Sequence, residues 1–191
     1  MLNQALQFLL ETVLNLFLIA FLLRFYMQLL RAPFRNPFAD FVVALTDFAV
    51  KPARRIIPSV AGLDVATLSL AWLLEFLLLL AVKWLGGFPF LVAGGVIWPA
   101  FALLAVVHLF KLSLYLLIGL VFVQALLSWF NPFSPLAPVI SALSRPFVRP
   151  IQKILPPIGN VDLSPMAVFV ICQLVIMLPV AWLETMVFRL I

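Results

Sequence analysis

The chain has 191 residues, is 66% hydrophobic and 10% charged, and has a mean hydropathy of +1.25. Soluble domains are about half apolar and a quarter charged, so these values exclude one and predict an all-α integral membrane protein. The net charge of +5 is too small and too confined to loops for direct nucleic-acid binding, and the single cysteine, Cys172, excludes an intramolecular disulfide and every CxxC-type site.

A membrane span needs about 20 mostly apolar residues. Residues 4–30 form the first such stretch. It reads as an uncleaved helix, because MLNQALQFLLETVL lacks a basic start and a small-residue cleavage site. Glu11 and Asn15 interrupt its apolar centre. Arg24, Gln28 and Arg31 close it as interface residues, since long basic side chains snorkel to headgroup level. Pro33 and Pro37, within RAPFRNPF, exclude continued helix. Residues 38–50 then fit an amphipathic helix. Phe38, Phe41, Val42, Leu45, Phe48 and Ala49 share one side; Asp40, Thr46, Asp47 and Lys51 share the other. The segment is too short to span and is expected to lie in the interface, its phenylalanines at the acyl boundary. Asp47 and Lys51 make an i,i+4 pair. The helix should stop or kink at Pro52. Pro58 and Gly62 turn the chain back, and Asp64 is placed to cap the next helix.

Residues 65–84 are the second span, with Glu75 near its middle, and Gly86-Gly87 and Pro89 form a turn. Residues 88–106, with Gly94, Gly95 and Pro99, read as an interfacial, re-entrant or bent lead-in to a third span at about 110–130. A fifth span in this region is the alternative. Asn131-Pro132-Phe133 then repeats Asn36-Pro37-Phe38. Ser134-Pro135 signals a helix start, and Leu136, Val139, Ile140, Leu143 and Phe147 give an apolar stripe that Pro146 and Pro150 should break. Asp162 and Ser164-Pro165 open the last span, at about 165–184.

The two loops repeat each other. KPARRIIPSVAGLD at 51–64 and RPIQKILPPIGNVD at 149–162 share Pro52/Pro150, Ile56/Ile154, Pro58/Pro156 and Asp64/Asp162, each pair 98 positions apart. Lys51/Arg149 and Arg55/Lys153 keep their charge. The chain therefore divides into two tandem helical-hairpin repeats, 1–87 and 88–191, with amphipathic loops at 31–64 and 131–164. Nine of the twelve basic residues fall beside these loops: Arg24, Arg31, Arg35, Lys51, Arg54, Arg55, Arg145, Arg149 and Lys153. The positive-inside rule puts both loops in the cytoplasm and both termini outside. Prolines brace Arg54-Arg55 and Gln152-Lys153 in short segments at the membrane surface, which suits anionic lipid headgroups or an acidic partner surface.

A span, an NPF motif, a K/R-P-x-x-[RK]-I-[IL]-P segment, a small-residue turn with Asp and a second span, all twice, resemble the YggT family of small membrane proteins. The similarity covers essentially the whole chain, and SRPFVRPIQKILPPIGNVDLSP is the closer copy. The first copy departs from it, with Thr46-Asp47 in place of Ser144-Arg145 and Ala66-Thr67 in place of Ser164-Pro165. The resemblance implies a bacterial inner-membrane protein with periplasmic termini. Relatives in Gram-positive bacteria and cyanobacteria are linked to cell division and nucleoid organisation. Plastid relatives are linked to nucleoid distribution and to covalent haem attachment in a membrane cytochrome b. Some bacterial relatives are linked to osmotic stress tolerance and potassium.

No catalytic motif stands beside this: P-loop, HExxH and GxSxG patterns are missing, and neither a cofactor nor a metal is expected. His108 is the only histidine, whereas a transmembrane b-type haem usually takes a pair and c-type attachment needs C-x-x-C-H. It reads as structural or interfacial. Ionisable groups inside a span are functional candidates by default. Glu75 stands opposite Gln173 at an offset of 98, and Glu11 opposite Lys111 at an offset of 100. Glu11, Asn15, Glu75 and Gln173 are therefore expected to face one another across the repeat interface. Interhelical glue, worth about 0.6–2 kcal/mol each, is one reading; a proton or cation path is the other. The function expected is a non-enzymatic scaffold or assembly factor, with a membrane-protein partner, anionic lipid and homo-oligomerisation as its contacts. The alternative is a small transport or ion-homeostasis protein acting in osmotic stress.

Overall fold

The computed structural model describes residues 1–60, 62–90, 94–131, 133–155 and 162–189. Pro132 and Pro156 of the repeated loops lie outside them. The order is α1 (Leu2–Leu29), α2 (Pro37–Ile56), α3 (Val65–Leu85), α4 (Ile97–Phe130), α5 (Ala137–Ile154), α6 (Ser164–Val175), a π-helical turn (Ile176–Val180) and α7 (Ala181–Phe188). α6, the π turn and α7 form one continuous helical rod. With α1, α3 and α4 it makes four helices long and apolar enough to cross a bilayer. Only 22–33% of each apolar window is buried within the protein, so most of that surface is left for lipid. This is a multi-pass membrane protein.

α1 packs along α3, α3 along α4, and α4 along α6 and α7. α2 and α5 lie at one end of the bundle and share a cluster in which Ala39 and Val42 meet Val139 and Leu143 over Leu23 and Met27. Leu18, Phe21 and Leu22 of α1 bury against Ala71 and Leu78 of α3 and Leu109 of α4. At the far end, Leu79, Ile97, Phe101, Leu104 and Val187 close the bundle.

The lead-in and the third span are a single helix. No breaker stands between Ala100 and Phe130 except Gly119, and Pro99 falls in the first turn, where its missing N–H is not needed. The 34 residues of α4 make a rod of about 51 Å, longer than a hydrocarbon core of about 30 Å. Phe88, Phe90, Trp98 and Phe101 pack together around its start.

Both amphipathic helices run through the prolines expected to stop them. Pro52 lies inside α2, and Pro146 and Pro150 lie inside α5. All three are exposed, on the side of each helix turned away from the bundle, so their rings meet no packed neighbour. Phe41 and Phe48 are exposed, in keeping with an acyl-facing side, and the protein-facing row is Ala39, Val42, Thr46 and Val50. Thr46, placed on the polar side by periodicity, is fully buried. α5 begins at Ala137, two residues later than Ser134-Pro135 suggests, because the Ser134 hydroxyl accepts from the Leu136 amide within the preceding turn.

Two spans end in the same cap. Beyond α3, Gly87 (φ +79°) lets the Phe88 amide reach back to Lys83. Beyond α1, the Ala32 amide reaches Met27, but the left-handed position is Arg31, at φ +51°. A side chain there is strained by about 1–2 kcal/mol. Arg31→Gly is therefore expected to raise stability, by roughly 0.5–1 kcal/mol after the added flexibility of the unfolded chain. Denaturant unfolding in detergent micelles measures it.

Candidate functional site

Arg24 does not snorkel. It is buried, and from the last turns of α1 it grips α2. Its Nη1 lies 2.8 Å from Thr46 Oγ1 and 2.9 Å from Asp47 Oδ1, and it also reaches the Val43 carbonyl at 3.4 Å. Asp47 further takes the exposed Lys51 at 2.7 Å, the expected i,i+4 pair. The Lys51 hydrogen bond, joined by Arg24, holds the Asp47 carboxyl below its usual range against the opposing effect of burial. The second half repeats the grip without charge. Ser144 of α5, standing where Thr46 stands in α2, donates to Gln124 of α4. The position of Asp47 is taken there by Arg145.

A second clamp lies at each elbow. Asp64 is buried at the start of α3 and accepts from the amide and hydroxyl of Thr67, as expected for a cap. Its carboxylate also receives Arg54, from the last turn of α2, and Arg54 reaches Gln28 of α1 at 2.9 Å. Three elements thus converge on one guanidinium. Burial works against the charged Asp64, but the bonds from Arg54 and Thr67 outweigh it and keep the carboxyl below the usual range. In the second half Gln152 replaces Arg54: its Nε2 donates to Asp162 at 2.8 Å, and Asp162 receives the Ser164 amide at 2.9 Å. Burial opposes this carboxylate too, and those bonds hold it low. Asn36, by contrast, caps α2 through Ala39 with Pro37 in the first turn, while Asn131 merely ends α4.

These substitutions leave the basic residues in two conditions. Lys51 and Arg54 have carboxylate partners within the first half. Arg145, Arg149 and Lys153, four residues apart along α5, are all exposed, and none forms an ion pair among the described residues. They line an open groove together with Pro146 and Pro150. Arg55 is exposed as well.

The intramembrane polar groups are not arranged as the repeat suggests. Glu75 of α3 is buried and lies 3.0 Å from Nδ1 of His108 on α4. Nε2 of His108 is 3.6 Å from Glu184 of α7, and Lys111 binds Glu184 at 2.8 and 3.0 Å. Glu11 instead accepts from Gln7 on its own helix. Among the described residues no hydrogen bond joins Asn15 or Gln173 to Glu75 or Glu11. The expected four-residue set is replaced by Glu75, His108, Lys111 and Glu184. A tally of every ionisable group within the spans would have found it; the offset comparison could not, because Glu184 has no polar counterpart in the first half.

The clamps differ in what they tolerate. Arg24→Gln is expected to keep the hydroxyl bond, as Gln124 does, and to cost about 1–2 kcal/mol. Arg24→Ala leaves Thr46 only its bonds to the α2 backbone and Asp47 only Lys51, and is expected to cost more, about 2–3 kcal/mol; unfolding in micelles compares the two. A carboxyl held low in the folded state stabilises it fully above the unfolded value of about 3.9, and less as pH falls through the folded value. Stability should thus decline below about pH 4. Asp64→Asn should remove about 2–3 kcal/mol at neutral pH and flatten that decline.

A family model described as CCB3/YggT matches residues 3–85 and again residues 103–183. The chain is 36% identical over 190 residues to an uncharacterized protein of Pseudomonas aeruginosa, covering 97% of this chain and 93% of that one. It is 36% identical over 162 residues to the uncharacterized protein YggT of Escherichia coli K12, covering 84% and 81%. Over 170 residues it is 34% identical to an uncharacterized protein of Vibrio alginolyticus, covering 87% and 88%. No solved structure matches significantly. Two matched segments, each containing a span, an amphipathic helix and an aspartate elbow, leave one assignment: the chain belongs to the CCB3/YggT family.

Proposed function

We propose that this protein is a non-enzymatic scaffold or assembly factor of the bacterial inner membrane, with both amphipathic loops in the cytoplasm and both termini periplasmic. The observation that carries this is the basic row on α5. Arg145, Arg149 and Lys153 are exposed, share one helix face and have no intramolecular anion among the described residues. A rigid row of uncompensated cations at a membrane surface attracts anions from outside the chain. Anionic headgroups supply them on the lipid side, at about 1 kcal/mol per basic residue. An acidic surface on a membrane-protein partner supplies the rest, and the clamps hold α5 still enough to select it. The family resemblance points to cell division, nucleoid organisation or the maturation of a membrane complex as the process served.

The test replaces Arg145, Arg149 and Lys153 together with glutamine and cross-links the full chain in its native membrane. Loss of a co-purified membrane protein, with span orientation and expression unchanged, is the expected result. An unchanged set of cross-linked proteins overturns the partner role.

A further inference from the structure

The four charged groups in the membrane region make an arrangement that ordinary ionisation does not satisfy. His108 stands between two carboxylates, with Nδ1 3.0 Å from Glu75 and Nε2 3.6 Å from Glu184. A neutral imidazole has one N–H and one lone pair. Between two ionised carboxylates it would turn that lone pair toward an anionic oxygen, a repulsion that low dielectric magnifies. The charge count meets the same difficulty. Two carboxylates against Lys111 alone leave one negative charge uncompensated, and Glu75 and Glu184 are both largely buried, where an unpaired charge is expensive.

Among the described residues no other charged group is paired with this set, Arg189 at the end of α7 included. On α4 the neighbouring charge is Lys111, already bound to Glu184. On α3 Lys83 sits over the Phe188 ring, 4.7 Å from its centroid. On α1 Glu11 is engaged with Gln7, and α7 adds only Glu184. One added proton, on the imidazole or on a carboxylate, removes both problems at once: it neutralises the set and places a hydrogen between the facing pairs.

We infer that Glu75, His108 and Glu184, balanced by Lys111, form an intramembrane proton-binding site that holds one proton beyond a neutral imidazole and two carboxylates. The site joins three helices from the two halves, α3, α4 and α7. Glu184 lies in the first turn of α7, just beyond the π turn around Pro179, and such turns recur at functional sites. Loss of the proton would return an unpaired negative charge to the contact between the halves, so proton occupancy and their packing are linked.

Because His108 is the only histidine, a single pair of ring-nitrogen signals reports on it. The full chain, labelled with nitrogen-15 histidine, is placed in lipid nanodiscs at about pH 7.5, a unit above where a free imidazole gives up its proton. Nitrogen NMR and infrared spectra are then recorded on the same sample. The expected result is either an imidazole protonated on both nitrogens or a carboxylic-acid carbonyl band that disappears in Glu75→Gln or Glu184→Gln. Each of these variants removes one carboxylate, so each should leave an imidazole with one bare nitrogen and no acid band. A wild-type imidazole with one bare nitrogen and no acid band overturns the inference, whether or not any variant folds. So does an imidazole that stays doubly protonated in both variants.

Discussion

A helix that enters a bilayer must satisfy the free amides of its first turn, and both halves of this chain use an aspartate that is also tied to the preceding helix. Asp64 binds Thr67 and Arg54 together; Asp162 binds the Ser164 amide and Gln152 together. The carboxylate therefore fixes the end of the amphipathic helix against the start of the span. Without it, α2 and α5 would be held to the bundle by one polar grip each and by their apolar rows, which meet lipid as readily as protein. With it, and with the grips of Arg24 on Thr46 and of Gln124 on Ser144, each amphipathic helix is fixed at two points at one end of the bundle.

The two halves build the same clamps from different charges. In both places where the first half uses arginine, Arg24 and Arg54, the second uses glutamine, Gln124 and Gln152. The contact survives because the shorter amide still meets a hydroxyl in one place and a carboxylate in the other. The electrostatic outcome differs. Two basic residues of the first half's amphipathic helix have carboxylate partners of their own, whereas the basic row of α5 has none among the described residues. Duplication thus preserved the fold while giving the two surfaces different chemistry.

Within the membrane the logic is reversed, since the polar residues at equivalent positions of the two halves, Glu75 and Gln173 or Glu11 and Lys111, do not build matching contacts. Glu75 meets His108, and Glu184 meets both His108 and Lys111, in a network with no copy elsewhere in the spans. The π turn is the local device that serves it. Pro179 cannot donate to the carbonyl an α-helix would offer, and the wider turn carries the chain past it to Glu184. His108 and Lys111, about one turn apart on α4, then receive carboxylates from two different helices.

The sequence by itself determined the membrane class, four spans as the simpler count, the duplicated loops, the family and the role of Asp64, because each rests on local pattern: twenty-residue apolar runs, prolines at a constant offset, an acid before a helix. Three of its misreadings share one reason. Thr46 looks polar-facing, Arg24 looks like a snorkelling end residue, and the prolines of α2 and α5 look like helix stops. Each of those readings treats a side chain or a turn in isolation. Only the tertiary structure decided that Thr46 and Arg24 satisfy each other in the interior, and that the prolines lie on the helix sides turned away from the bundle. The intramembrane network depends on contact most of all. Four ionisable residues spread from position 75 to position 184 become one site only when α3, α4 and α7 are packed side by side.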